Sequence, residues 1–266
     1  MKLLVQGDDF GFTRGVTYGI IDSIDHGILR NTGLFANMPS AALAVSFMKA
    51  RPHVCFGIDF NIVSGPCCAD PLLIPHLVDH DGNFIRSSVR VKDPRYKSEE
   101  GRREMFPIEE CYIEMKAQYE RFIEMSGQKP GYLHSHSIGP EPYLETIQRL
   151  EQETGIFYSR TIRKQMNVGS IPYQRSSDGV PKKEFDAGGQ LAKDKVQNVL
   201  DHSDLLLSYD IAAIGGHPGY VDADLLSLTT LSLERLRDAE MCMSPIIKQW
   251  IDDHNIELIT YYDLKK

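Results

Sequence analysis

Apolar positions along the chain fall into two recurring patterns, short runs bounded by polar turns and longer stretches with three- and four-residue spacing. Leu3–Gln6 predicts a strand, residues 15–27 a helix closed by Gly27, residues 33–37 a strand and 40–50 a helix with Ser40 as cap. Val54–Phe60 reads as a third strand. Residues 107–126 give the clearest helix: Ile108, Cys111, Tyr112, Met115, Tyr119, Phe122 and Ile123 share one face, Pro107 opens it and Gly127 stops it. Strands at 131–134 and 156–160 flank a helix at 141–153. A strand at Ile211–Gly215, helices at 224–238 and 244–254, and a last strand at Glu257–Tyr261 complete the series. Strands alternating with helices predict a parallel sheet covered by helices, and at this length the expected closure is an irregular (β/α) barrel of about seven parallel strands. No linker interrupts the series, so residues 1–266 are expected to form one domain.

Two segments break the alternation. Residues 86–106 carry seven basic and four acidic side chains, and residues 160–183 carry six and one. Both read as long loops, which either lie solvated on the surface or form a basic rim that would attract an anionic substrate. The whole chain of 266 residues has a net charge of −8, which argues against a general nucleic-acid binder. No apolar run reaches the length of a membrane span, and the acidic start is unlike a signal peptide. Five cysteines without a Cys-x-x-Cys pair read as reduced thiols. A cytoplasmic protein is the expectation.

Unusual polar residues cluster at the predicted strand ends, the face where parallel α/β folds gather their chemistry. Asp8 and Asp9 end the first strand and Asp59 the third. His134-Ser135-His136 follows the strand at 131–133, Arg160 ends the strand from Ile156, and Gly215-Gly216-His217-Pro218-Gly219 ends that at 211–214. Any one alone could be structural; five on one face suggest a site. Adjacent carboxylates, a distant Asp and His-x-His suit a divalent metal with mixed oxygen and nitrogen ligands. Neighbours in extended backbone point to opposite sides, so Asp8 and Asp9 should divide their work, one ligating and one taking a proton. His217 sits on a perch stiffened by Pro218 and suits a proton donor, and Arg160 can orient a carboxylate. Together these describe metal-assisted hydrolysis of an acyl bond. His134 reads equally as a ligand or as a partner of one.

Gly7-Asp8-Asp9-Phe10-Gly11, Gly57-Ile58-Asp59-Phe60-Asn61, Asp81-Gly82-Asn83-Phe84, His134-Ser135-His136 and His217-Pro218-Gly219-Tyr220 resemble the YdjC-like carbohydrate deacetylases, in consistent order from residue 1 to about 264. The resemblance implies a barrel related to polysaccharide deacetylases, a divalent metal, and hydrolysis of N-acetyl groups on small sugars such as chito-oligosaccharides. That is a hydrolase acting on the C–N bonds of linear amides. By position it makes Asp8 the base, Asp9 and His136 metal ligands, Arg160 the residue that orients the base, and His217 the acid. It also leans towards a homodimer.

Two positions depart from the family pattern, which usually has His at 59 and Asp at 134. Asp59 can still ligate, so Asp9, Asp59 and His136 would give two carboxylates and one imidazole. Such a set favours Mg²⁺, with Mn²⁺ or Zn²⁺ also able to bind, and acidifies water less, which raises the weight on Asp8. The expected substrate is a small N-acetylated sugar, with phosphorylation suggested by the basic loops. The rivals are cleavage of a glycosidic or phosphate ester bond in a phosphorylated disaccharide, and a catalytically silent sugar-binding protein.

Overall fold

The computed structural model describes residues 1–172 and 185–265. Seven strands, β1 (Lys2–Phe10), β2 (Asn31–Leu34), β3 (Cys55–Phe60), β4 (Leu133–Ser135), β5 (Gly169–Ser170), β6 (Ile211–Gly216) and β7 (Glu257–Ile259), form one parallel sheet in the order β4-β3-β2-β1-β6-β5. β1 is central and nearly all buried, as expected of a strand covered on both faces. One edge of β1 pairs with β6 over residues 2–7; the other is shared, with β7 on residues 2–4 and β2 beyond. Buried Asn31 spans that fork: its Nδ2 donates to the carbonyls of Val5 (3.0 Å) and Ile259 (3.1 Å), and its Oδ1 accepts from the Tyr261 N–H (2.9 Å).

The sheet curls without full closure. Among the described residues no ladder joins β4 to β5, and only a Leu133–Tyr158 bridge extends beyond β4. Helices α1 (Arg14–Asp25), α2 (Ala41–Met48), α3 (Ile108–Ser126), α4 (Glu141–Thr154), α5 (Ser159–Gln165), α6 (Lys195–Asp201), α7 (Glu234–Met243) and α8 (Pro245–Asp253) surround it. Thr13 caps α1 through the Val16 N–H, and Gly127 ends α3 in the left-handed region that glycine enters freely. No helix among the described residues is long and apolar enough to cross a membrane.

Three expectations are corrected. The strand at 156–160 shrinks to the single Tyr158 bridge, because Ser159 and Arg160 already begin α5; Ile156 and Tyr158 are buried alternately, but only three extended residues separate Gly155 from that helix. The helix at 224–238 is two, Ala223–Leu228 and α7, separated by extended backbone at Thr229. Residues 86–106 are not a loose basic loop. They fold into short helices at Ser87–Arg90, Pro94–Lys97 and Glu99–Met105, and four of their five arginines are taken up: Arg95 by Asp93, Arg102 by Glu141, Arg103 by Glu145, while Arg90 is buried over Phe106; the exposed Arg86 meets the Ser227 carbonyl. The second basic stretch contains most of α5 and all of β5, and its residues 173–183 lie outside the described residues.

Candidate active site

Asp8, Asp9, Asp59, His134 and His217 stand at or just beyond the C-terminal ends of β1, β3, β4 and β6, with His136 one residue past β4. The pairing register of β1 with β2 jumps between Gly7 and Phe10, and Asp9 adopts φ 74°, a left-handed conformation rare outside glycine. Such a conformation costs roughly 1 kcal/mol and is tolerated best by Asp and Asn. It sends the two adjacent carboxylates to different partners and aims the Asp9 N–H at Asp59 Oδ2, 2.9 Å away.

Asp9 belongs to a buried layer. Its Oδ2 accepts from Arg235 Nη2 at 2.6 Å, and its Oδ1 lies 3.0 Å from His136 Nδ1. Burial by itself would raise the pKa of this carboxyl, yet the charges of His136, Arg235 and His217 outweigh it and hold Asp9 well below the usual carboxylate range. Arg235, on α7, is 1% exposed and lies over the Phe12 ring, so a full ion pair is enclosed here. His136 is held in turn: its ring meets Phe35 edge-on at 4.7 Å, and its backbone N–H donates to the Phe60 carbonyl and the Tyr143 hydroxyl, both at 3.1 Å. A carboxylate on one ring nitrogen of a histidine fixes the imidazole and leaves the other nitrogen to bind.

The second layer contains Asp8, Asp59 and His134, each offering a ligand atom within 4.8 Å of the others. Asp59 and His134 are direct partners in the β3–β4 register, so the two side by side present their donors to one space. Asp59 is 1% exposed, and its Oδ1 has no hydrogen-bond partner among the described residues. Burial, with the Asp8 and Asp9 charges added, pushes its pKa well above the ordinary range. An enclosed carboxylate beside two others is ionised comfortably only next to a cation. His134 is driven the other way, down to about 4, by burial and against the pull of Asp8. Its Nδ1 lies 2.6 Å from Ser159 Oγ and its Nε2 3.6 Å from Asp8 Oδ2. The close approach of Asp59 to β2 needs Gly33: a Cβ there would stand 2.2 Å from Asp59 Oδ1.

His217 faces the same space from β6. Its backbone N–H donates to Asp238 Oδ2 at 2.9 Å, and its buried Nδ1 has no hydrogen-bond partner among the described residues. Pro218 packs on Gly7, where a Cβ would meet it at 2.7 Å. Asp238 and Glu234, both on α7, hold the buried Lys195, so that helix serves both layers. A cavity of about 260 Å³ opens beside Asp8, His134, His217, Arg163 and Lys195.

The structure thus gathers Asp8, Asp59 and His134, couples Asp9 to His136, and places His217 on the shared cavity. Arg160 is exposed on α5; the arginine of that helix that lines the cavity is Arg163. Arg235, Arg163, Gln6 and Asp238 carried no signal in the sequence, since Gln6 is one polar residue in an apolar strand and the other three stand among further charged residues on their helices.

Comparison with known proteins matches the YdjC-like protein family over residues 2–253. The carbohydrate deacetylase 2 of Listeria innocua is 32% identical over 269 residues, spanning 100% of both chains. A carbohydrate deacetylase of Clostridium beijerinckii is 28% identical over 99% of this chain and 100% of its own length. The crystal structure of an Enterococcus faecalis V583 protein, named for a proposed role in cellobiose-phosphate cleavage, superposes with a TM-score of 0.76 at 21% identity, covering 99% of this chain and 98% of that one. This last likeness is one of fold.

Proposed function

This chain belongs to the YdjC-like family, and from that membership and the site's geometry we propose that it is a metal-dependent deacetylase of small N-acetylated sugars. The observation that carries the metal is the partnerless buried Oδ1 of Asp59 among converging donors. Asp59 and His134 would hold the cation, with Asp8 completing the set of converging donors and His136 held beside it by Asp9. Asp9 would then act from behind, because its Oδ2 is taken by Arg235 and its side chain does not reach the surface. Two carboxylates and one imidazole are a mixed oxygen and nitrogen set that suits Mn²⁺ or Zn²⁺ as well as Mg²⁺. When bound, the cation supplies Lewis acidity to the acetyl carbonyl and to the attacking water.

The chain's own groups do the rest. Asp8, the most exposed carboxylate of the cluster, accepts the proton of the attacking water. His217 gives a proton to the departing amine, from a backbone fixed by Asp238 and Pro218. Arg235 acts on Asp9 and so on His136. The pairing of the 86–106 arginines removes one support for an anionic substrate, so unphosphorylated chito-oligosaccharides are the first choice. Acetate release from N-acetylglucosamine oligomers by chelator-stripped protein resupplied with Mn²⁺, Zn²⁺ or Mg²⁺ tests the reading. A folded protein that releases none with any of the three cations refutes it.

A further inference from the structure

Gln6 precedes Asp8 by two residues on β1, which puts both side chains on one face of the strand. It is 3% exposed, and both ends of its amide are engaged. Oε1 accepts from Arg163 Nη2 at 2.7 Å and from the Tyr261 hydroxyl at 2.5 Å. Nε2 donates to Asp8 Oδ1, also at 2.5 Å. A guanidinium can only donate, so the end of the amide that meets Arg163 must be the oxygen. The end that meets Asp8 is therefore the NH₂. A flipped amide would set an N–H against the guanidinium and an oxygen against a carboxylate, two repulsive contacts at once.

The lock is itself anchored. Arg163 lies 5.6 Å over the Tyr261 ring, and the Tyr261 N–H is bound by Asn31 at the β2–β7 fork. We infer that Gln6 is a positioning residue for Asp8, with Arg163 and Tyr261 setting the sense of its amide. The amide holds Oδ1 and leaves Oδ2 towards His134. A guanidinium in direct contact, the arrangement expected of Arg160, would instead grip both oxygens in a fork. Here Arg163 acts on Asp8 at one remove, through a neutral donor. The consequence for turnover rests on the deacetylase reading; the orientation of Asp8 does not.

The test compares Gln6→Leu, Arg163→Met and the double variant with the wild type, with melting temperature and folded fraction measured alongside. Gln6→Leu should lower kcat per folded molecule about 30-fold while KM stays within about threefold, because proton acceptance needs the orientation and sugar binding does not. Arg163→Met, which frees the amide to turn, should cost about fivefold, and the double variant should be no worse than Gln6→Leu. Crystals of wild type and Gln6→Leu should show the Asp8 carboxylate rotated in the variant. Unchanged kcat per folded molecule, additive losses, or an unmoved Asp8 would overturn the inference. If Gln6→Leu does not fold, Arg163→Met with wild-type kcat overturns it alone. If the wild type releases no acetate, the deacetylase reading falls, and the two crystal structures still decide the role of Gln6.

Discussion

Gly33→Ala changes one methyl group on β2 and should act on a carboxylate that β3 supplies. The added Cβ would lie 2.2 Å from Asp59 Oδ1, 2.4 Å from its Cγ and 2.8 Å from Oδ2. Ordinary contacts begin beyond about 3 Å, so the carboxylate must retreat by about 1 Å. Its hydrogen bond from the Asp9 N–H, 2.9 Å in the native arrangement, then breaks. A buried N–H left without its acceptor costs about 1–3 kcal/mol, so the melting temperature should fall while the fold survives. Ligand distances in metal sites tolerate only about 0.2 Å, so the same displacement should weaken cation affinity by at least about tenfold. Calorimetric titration of chelator-stripped protein with Mn²⁺, beside a thermal melt, measures both effects. A folded Gly33→Ala protein with wild-type Mn²⁺ affinity would refute the placement of Asp59 at the cation.

Three other expectations follow from the same geometry. Glu114 is buried and its pKa is raised from 4.5 to about 7 by burial, despite donors from Cys68, Ala69 and Gln118. An acid raised in the folded state binds a proton more tightly there than in the unfolded chain. Its contribution is therefore complete below about pH 4.5 and lost as pH rises through 7, in all about 3 kcal/mol; denaturant melts of Glu114→Gln should show a smaller pH-dependent decline than wild type, and an unchanged decline would contradict this. Arg235→Met strips the buried Asp9 of its nearest charged partner and should cost about 3–5 kcal/mol in a urea melt, with Asp9→Asn recovering part of the loss in the double variant. A loss under 1 kcal/mol would show the ion pair to be dispensable. His217→Asn should lower kcat for acetate release by about 10²–10⁴ with cation affinity intact, and near-normal turnover would remove His217 from the proton path.

Much of this site was legible in the sequence because strand ends and glycine perches have local signatures. The runs at Leu3–Gln6, Val54–Phe60 and Ile211–Gly215 placed β1, β3 and β6, and the polar residues after them fell on the predicted face. That Asp8 and Asp9 point to different partners matches the alternation expected of neighbours, but the left-handed backbone at Asp9 that produces it had no signature in the sequence. What stayed hidden was the second rank of contacts. Arg235 and Asp238 lie on a helix with several other charged residues, and they are buried against β1 and the β6 turn from more than 220 and from 21 residues away. Arg160 and Arg163 share the turns of α5, and only the helix start at Ser159 decides which of them faces inward. The β3–β4 register, absent from any local pattern, makes Asp59 and His134 neighbours and turns two apparent departures into one site.

Anomalous scattering from crystals soaked in Mn²⁺ tests the central claim most directly. The account predicts one strong peak about 2.0–2.3 Å from an Asp59 oxygen and from a His134 nitrogen, with Asp8 alongside. A peak only at the exposed Asp79–His80–Asp81 cluster, or none within reach of Asp59, would contradict it.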